Sequence, residues 1–417
     1  MVRYAYTVPL YHTRYTECGI HPQDIRGMRD LQKLPFITKD DLRQHYPDGI
    51  VPKHFPMDQR HLLSTSGSTG KPVFLYHDLM QSIRYLEGFL RVLKVCGGHW
   101  SSSKICLIVD LKPGSIENVS FESSIKPFLG RFLPLNNMKY LHIGENLRII
   151  SQELNKFQPE FLGSDPSMLR ELAALKNNDR LRDVNPRYFF SSGSILDQAT
   201  RSYVEKAFSA KIIDIYSSTE TGPMAFQCLE GDGYHVNEDA VLLEVLDKEN
   251  HDIGFDTRGR LVVTRLFGAG TPIIRYTGLE DIVIRSAPRS CCGITTEMIK
   301  QITGRSIDLI HLPDGKELDA FQVTGIPAAV MSDLDTYKIK QFQIVQNTIN
   351  ELQILVVIDE RLRDRGHSVQ TILRELQERF QGAMPMDMVI HVREVKEVLK
   401  DTRTHAVRVV VSQIKKN

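Results

Sequence analysis

The spacing of apolar positions changes along the chain, and each change predicts a different kind of element. Up to about residue 50 the pattern is helical and polar. It ends in "LPFITKDDLRQHYP", where Thr38 can cap a short helix opening at Lys39 with acidic residues in its first turn. From Lys104 continuous apolar runs alternate with helical spacing. "KICLIVDL" reads as a buried strand. "FLGSDPSMLRELAALK" reads as a strand end, a turn and a helix, capped by Ser164 or Asp165 with Pro166 in the first turn. "RYFFSSGS" is a strand that ends in small residues, and "DQATRSYVEKAFS" is a helix with Tyr203, Val204 and Phe208 on one face. "KIIDIYSSTETG" is a further strand, closed by a polar turn. Such alternation predicts an α/β fold around a mostly parallel sheet, with ligands at the carboxyl ends of the strands.

After Gly231 the texture changes. "AVLLEVLD", "GRLVVTRL", "TPIIRYTG" and "DIVIRS" are short apolar runs punctuated by Gly, Asp and Pro. They predict an antiparallel sheet or a small barrel. Beyond "ITGRSIDLIHLPDGKEL", the runs "KQFQIVQ" and "ELQILVVID" flank "NTIN" and read as a hairpin. Val369, Ile372, Leu373, Leu376 and Phe380 then fall at helical spacing, and "MDMVIHVREV" is one more strand. This last stretch predicts a small α+β module of domain size.

Composition excludes more than it assigns. The 417 residues are 41% hydrophobic and 25% charged, which is globular and predicts two or three domains. The 52 basic and 51 acidic residues leave a formal charge of +1, so no global field selects nucleic acid or an anionic membrane. No apolar run approaches the ~18 residues a membrane span needs. The first residues, "MVRYAYTVPLYHTRYTEC", hold no signal-like apolar stretch, and a soluble cytoplasmic protein is expected. Six cysteines in this length make no disulfide scaffold. Cys18, Cys96 and Cys106 read as buried structural thiols. Cys228 and His235 in "QCLEGDGYH", with Cys291 and Cys292 in "SCCG", offer three thiolates and an imidazole, a tetrahedral zinc set. Adjacent cysteines point apart when extended, so both ligate only in a bent turn; the alternative is four residues without a metal.

"STSGSTGKPV", Ser64–Val73, has the composition of a phosphate loop: backbone N–H groups and hydroxyls to wrap an anion, and Lys71 to add a cation. It lacks the G-x-x-x-x-G-K-[ST] spacing, and alone it is equally an ordinary turn. It is not alone. "TSGSTGKP" resembles the phosphate loop of the adenylate-forming acyl–CoA ligase superfamily, and "LPFITKDDLR" resembles the segment upstream of it in the phenylacetate–CoA ligase branch. "SSGSILDQATR" is similar to that branch's adenine-side loop, "DIYSSTETG" to its aromatic-Gly-x-Thr-Glu motif, and "TPIIRYTGLED" to its Arg-Tyr-x-x-Gly-Asp motif. "ITGRSIDLIHLPDG" resembles the hinge between the large and small domains. The order along the chain is the family's.

The resemblance implies a large adenylate-binding domain over residues 1–304, with mostly parallel sheets and a small barrel-like antiparallel sheet. A hinge over 305–308, including Asp308, and a small mobile α+β domain over 309–417 follow. It implies AMP-forming activation of a carboxylic acid, with ATP and Mg²⁺, and transfer to CoA or another thiol such as that of a carrier protein. Thr65, Ser66, Gly67, Ser68, Thr69, Gly70 and Lys71 would hold the triphosphate. Thr219, after Ser217 and Ser218, would bond the α-phosphate, and Glu220 would hold Mg²⁺. Ser192, Gly193 and Ser194 would pass along the adenine, with Asp214 accepting from its amine and Tyr216 stacked on the base. Two departures stand out. "TGLED" replaces the family's Gly-Asp pair, so Glu280 or Asp281 would take the ribose, Asp281 being favoured, with Arg305 as the second contact. At the C-terminus His405 stands where the family has its adenylation Lys. Three readings stay open: His405 works as a cation, Lys400 replaces it, or adenylation is lost. Some members also carry a Cys-x-Cys-Gly pair for structural zinc; Ser290 occupies the first of those places here.

The acyl pocket is expected near residues 110–140, where Phe121, Phe128 and Phe132 line it or pack in the core. Aryl, fatty and amino-acid-like acids all remain open. A nucleotide-binding homologue with impaired adenylation, and an acyltransferase of polysaccharide or natural-product assembly, are the alternatives. A homodimer is expected from the branch.

Overall fold

The computed structural model describes residues 1–56, 61–65, 72–113, 115, 117–119, 135–288, 292–305, 309–319, 321–398 and 409–414. The chain forms two compact units. The first comprises Met1–Thr65, Pro72–Leu196 and Val204–Gln301; the second contains Asp197–Tyr203 and the chain from Ile302 onward.

In the first unit β1 (His61–Ser64) and β2 (Phe74–His77) form an antiparallel hairpin of their own. The strands that follow are β3 (Ile105–Val109), β4 (Met138–His142), β5 (Phe161–Ser164), β6 (Tyr188–Ser191) and β7 (Lys211–Ser218). They lie in the order β7-β6-β5-β3-β4 and every neighbouring pair is parallel. Helices cross between them. Leu147–Phe157 is capped by Asn146, and Pro166–Asn177 is capped by Asp165, whose carboxylate accepts from Met168 N at 2.7 Å. The cap is therefore Asp165, while Ser164 closes β5. The amphipathic helix Leu79–Val95 lays Val92 and Leu93 on Ile105, Phe161, Phe190, Ile213 and Phe226 of the sheet. Fully burying such side chains is worth roughly 1.5–3 kcal/mol each, which is why this face reads apolar on every strand.

Strands β8 (Gly222–Gln227), β9 (Tyr234–Val236), β10 (Val241–Leu246), β11 (Arg258–Arg265), β12 (Asp281–Ser286) and β13 (Met298–Arg305) continue the same sheet in the order β10-β11-β12-β13-β9-β8. The antiparallel texture after Gly231 is thus an extension of the parallel sheet through the antiparallel β7–β8 pair. The N-terminal segment adds to it. Ile37 N donates to Arg275 O at 3.1 Å and Thr277 N to Ile37 O at 3.0 Å, so "LPFIT" lies beside "IIRYT". Thr38 caps the helix Lys39–His45 in a capping box with Asp41, as its sequence predicts.

In the second unit β14 (Leu309–His311) and β15 (Glu317–Asp319) pair antiparallel. β16 (Ile339–Thr348) and β17 (Glu351–Ile358) form the expected hairpin, flanked by β18 (Val389–Glu394) and β19 (Val410–Ser412), both parallel to their neighbours. The helix Val369–Ala383, capped by Ser368, buries Ile372, Leu376 and Phe380 against Ile344, Leu352, Ile354 and Ile390.

Cys96 and Cys106 are buried, as expected, but Cys18 is exposed. It is the C-cap of the helix Pro9–Glu17, one residue past the turns that present a buried face. Among the described residues no helix is long and apolar enough to cross a membrane.

Candidate active site

Of the residues singled out by their sequence pattern, β7 and the carboxyl ends of β6 and β7 collect Ser192, Gly193, Ser194, Asp214, Tyr216, Ser217, Ser218, Thr219 and Glu220. Parallel pairing sets Ser191 beside Asp214, so the residues after them emerge together at one edge. Ser192 Oγ lies 2.7 Å from Ser217 Oγ, closing the gap between the two strand ends. Gly193 turns with φ of 89°, and with Ser194 it is exposed. Asp214 accepts from the Tyr234 hydroxyl at 2.8 Å, which orients its carboxylate. The Tyr216 hydroxyl donates to Asp281 at the start of β12. The residue expected to stack on a base and the carboxylate favoured for the ribose are therefore linked directly. Glu280 instead pairs with Lys39 at 3.2 Å, and its φ of 61° places it in a left-handed turn.

The turn Thr219–Thr221 joins β7 to β8. Ser218 Oγ accepts from Thr221 N at 3.2 Å, which closes it. The Thr219 carbonyl accepts from the buried Tyr85 hydroxyl at 3.3 Å, and the Glu220 carbonyl from Arg265 Nη1 at 2.7 Å. The Glu220 carboxylate is buried and accepts from the Tyr276 hydroxyl at 2.9 Å. Burial and this carboxylate together hold the Tyr276 phenol well above its usual pKa, so it remains a donor. Gly222 follows with φ of 76°, and a Cβ there would lie 2.3 Å from the Tyr85 ring; only glycine lets the turn pass this close. A carboxylate oxygen so fixed is a hard donor that suits Mg²⁺.

The segment expected to hold phosphates is anchored where it leaves the hairpin. Thr65 N donates to Val73 O and Val73 N to Thr65 Oγ1, both at 2.9 Å. Ser66, Gly67, Ser68, Thr69, Gly70 and Lys71 lie outside the described residues, as do Cys291, Asp308, Lys400, His405, Phe121, Phe128 and Phe132. Arg305 ends β13, and its side chain is likewise outside them.

Away from this edge, Cys228, His235 and Cys292 bring their ligand atoms within 4.8 Å of one another. Cys292 Sγ lies 3.0 Å from His235 Nε2. His235 is fully buried, burial lowers its pKa, and its Nδ1 has no partner among the described residues. Two thiols and a neutral imidazole are the donor chemistry of zinc.

Sequence reasoning did not single out Arg265, Tyr85, Tyr234 or the role of Tyr276. Their signals are faint: an Arg closing an apolar run, and tyrosines among core residues.

No family model matches the chain. A phenylacetate-coenzyme A ligase of Thermus thermophilus is 27% identical over 391 residues, 88% of this chain and 82% of that protein. Protein CapK of Staphylococcus aureus is 26% identical over 359 residues, 84% of this chain and 74% of that one. Among solved structures, a 2-hydroxyisobutyryl-CoA ligase in the postadenylation state, in complex with 2-HIB-AMP, has a TM-score of 0.79 at 20% identity, covering 99% of this chain and 87% of that chain. The chain has the fold of the adenylate-forming CoA ligases and is a homologue of the phenylacetate-coenzyme A ligases.

Proposed function

We propose that this protein is an AMP-forming acid–CoA ligase. A carboxylate oxygen of a small acid attacks the α-phosphorus of ATP and pyrophosphate leaves. The CoA thiol, losing its proton, then attacks the acyl carbon and AMP leaves. The observation that carries this is the meeting of the Thr219–Glu220 turn, the Ser192–Ser217 contact and the Tyr216–Asp281 pair at one sheet edge, in a chain homologous to ligases of this chemistry.

Asp281 takes the ribose hydroxyls, oriented by Tyr216. Asp214, held by Tyr234, accepts from the adenine amine beside Ser192, Gly193 and Ser194. Thr219 donates to the α-phosphate, where charge builds in the transition state; donors fixed beforehand are worth the most there. Thr65 and the loop after it take the β- and γ-phosphates. Glu220 would hold Mg²⁺, which supplies charge neutralisation for the departing pyrophosphate. His405 or Lys400 supplies the remaining cation. Arg305 and residues 306–308 are the hinge; the change of compact unit between Gln301 and Ile302 supports it. Cys228, His235 and Cys292, with Cys291, would hold a structural zinc; the convergence of the buried Cys228 and His235 with the half-buried Cys292 supports this.

The test is exchange of labelled pyrophosphate into ATP over a panel of aryl, aliphatic and amino-acid-like carboxylic acids. Exchange that depends on one acid class, followed by CoA thioester formation, is expected. No exchange with any acid, together with no ATP or AMP binding by calorimetry, overturns the proposal.

A further inference from the structure

Arg265 is among the largest fully buried side chains, with relative exposure of 0%. Burying a guanidinium is costly unless its donors are used. Here Nη1 donates to Glu220 O at 2.7 Å, Nε to Phe267 O at 3.3 Å and Nη2 to Thr271 O. No carboxylate joins these contacts among the described residues. The fork therefore spans two separate segments, the turn after β7 and residues 266–272.

Residues 266–272 in turn seat on the phosphate hairpin. Thr271 N donates to Tyr76 O at 2.8 Å and Tyr76 N to Thr271 Oγ1 at 3.0 Å, on β2. Ala269 N donates to Asp78 Oδ2 at 2.9 Å, just past that strand. A Cβ on Gly270 would fall 1.9 Å from the Tyr76 carbonyl oxygen, so the two backbones are in direct contact. Tyr4 and the fully buried Tyr11 brace the same segment, donating to Gly270 O at 2.9 Å and Pro272 O at 2.7 Å. An unbroken run of bonds leads from the base of the phosphate loop, through β2 and Thr271, to Arg265 and the Glu220 main chain.

We propose that Arg265 is a positioning residue for adenylation: it fixes the spacing between the Thr219–Glu220 turn and the hairpin that carries the phosphate loop. The proposal rests on the function proposed above. ATP needs both parts at once, because its α-phosphate faces the turn while its β- and γ-phosphates face the loop. The acyl-adenylate needs only the turn, since pyrophosphate has already left. A lysine cannot reproduce the fork, because its donors radiate from one nitrogen whereas Arg265 reaches the three carbonyls from three separate nitrogens of a planar group.

The experiment compares Arg265→Met and Arg265→Lys with the wild type in both half-reactions, using an acid the wild type activates and its chemically prepared acyl-adenylate. Pyrophosphate exchange is expected to fall on the order of a hundredfold in Arg265→Met, the scale of losing preorganised charge stabilisation. Arg265→Lys, which keeps the charge and the stem and is the variant to use should Met not fold, loses about tenfold. Thioester formation from the supplied acyl-adenylate changes no more than a few-fold in either. Equal losses in both half-reactions overturn the proposal and make Arg265 merely structural; so does unchanged exchange in a folded variant. A wild type that neither exchanges pyrophosphate nor binds ATP overturns the function, and this proposal with it; a wild type that does both while the variants lose both steps alike overturns the proposal alone.

Discussion

Removing one hydroxyl from Tyr276 tests how the Glu220 carboxylate is held. Tyr276 is fully buried, and its hydroxyl donates to Glu220 Oε1 at 2.9 Å. Tyr276→Phe keeps the ring and deletes the donor. A hydrogen bond to a charged acceptor contributes about 1.5–3 kcal/mol, and a buried carboxylate that loses one forfeits most of that range. The expected loss of unfolding free energy is about 2 kcal/mol. The carboxylate also regains rotation about its last torsion, so the Mg·ATP concentration for half-maximal exchange should rise about tenfold, the equivalent of about 1.4 kcal/mol. Urea denaturation followed by circular dichroism reads the first effect, and pyrophosphate exchange across a Mg²⁺ titration the second. Tyr15→Phe is the internal control: its hydroxyl is buried with no partner among the described residues, so the same chemical change should be neutral or slightly stabilising. Equal effects of the two substitutions, or a Tyr276→Phe protein indistinguishable from wild type in both assays, would refute the account of Glu220.

Other outcomes follow from the same contacts. His77 is fully buried, and burial, then Arg265 and His61, push its pKa well below 6.5. It is neutral when folded and takes a proton more readily when unfolded, so stability should fall as pH drops below about 6.5, by up to about 1.4 kcal/mol per unit. Denaturation curves of His77→Asn against pH should lose that slope. His405→Ala should slow pyrophosphate exchange far more than His405→Lys at pH 8; equal rates for both would remove His405 from the chemistry. Purified protein should carry about one zinc by elemental analysis, and Cys228→Ser should lower occupancy and melting temperature together. Wild type without zinc would leave Cys228, His235 and Cys292 as a polar cluster without a metal.

Local features were readable from the chain alone. Thr38 announces its cap, and Ser164 or Asp165 the next one, because a short side chain reaches a main-chain N–H three residues on; the structure uses Asp165. The β16–β17 hairpin shows as two apolar runs around a polar turn. The candidate site is legible as a set of motifs, but the bonds between its parts are not. Arg265 and Glu220 are 45 residues apart, Tyr276 and Glu220 are 56 apart, and Tyr85 and Thr219 are 134 apart. No periodicity encodes such pairs; they exist only once the sheet places β7, β11 and the 275–277 segment together. Cys18 was misjudged for the converse reason: its exposure is decided by where a helix ends, which composition does not reveal.

The β7–β8 junction limits how this chain can vary. The residues that would grip the α-phosphate and the magnesium are also the ones that reverse the strand direction of the sheet. A residue inserted between Ser218 and Gly222 would either push Thr219 off its mark or slip β8 by one place, turning Ala225 and Phe226 inside out along with the strands paired after it. Lengthening is tolerated in surface connections and costly at this bend, where an extra residue trades the α-phosphate contact against the pairing of β8.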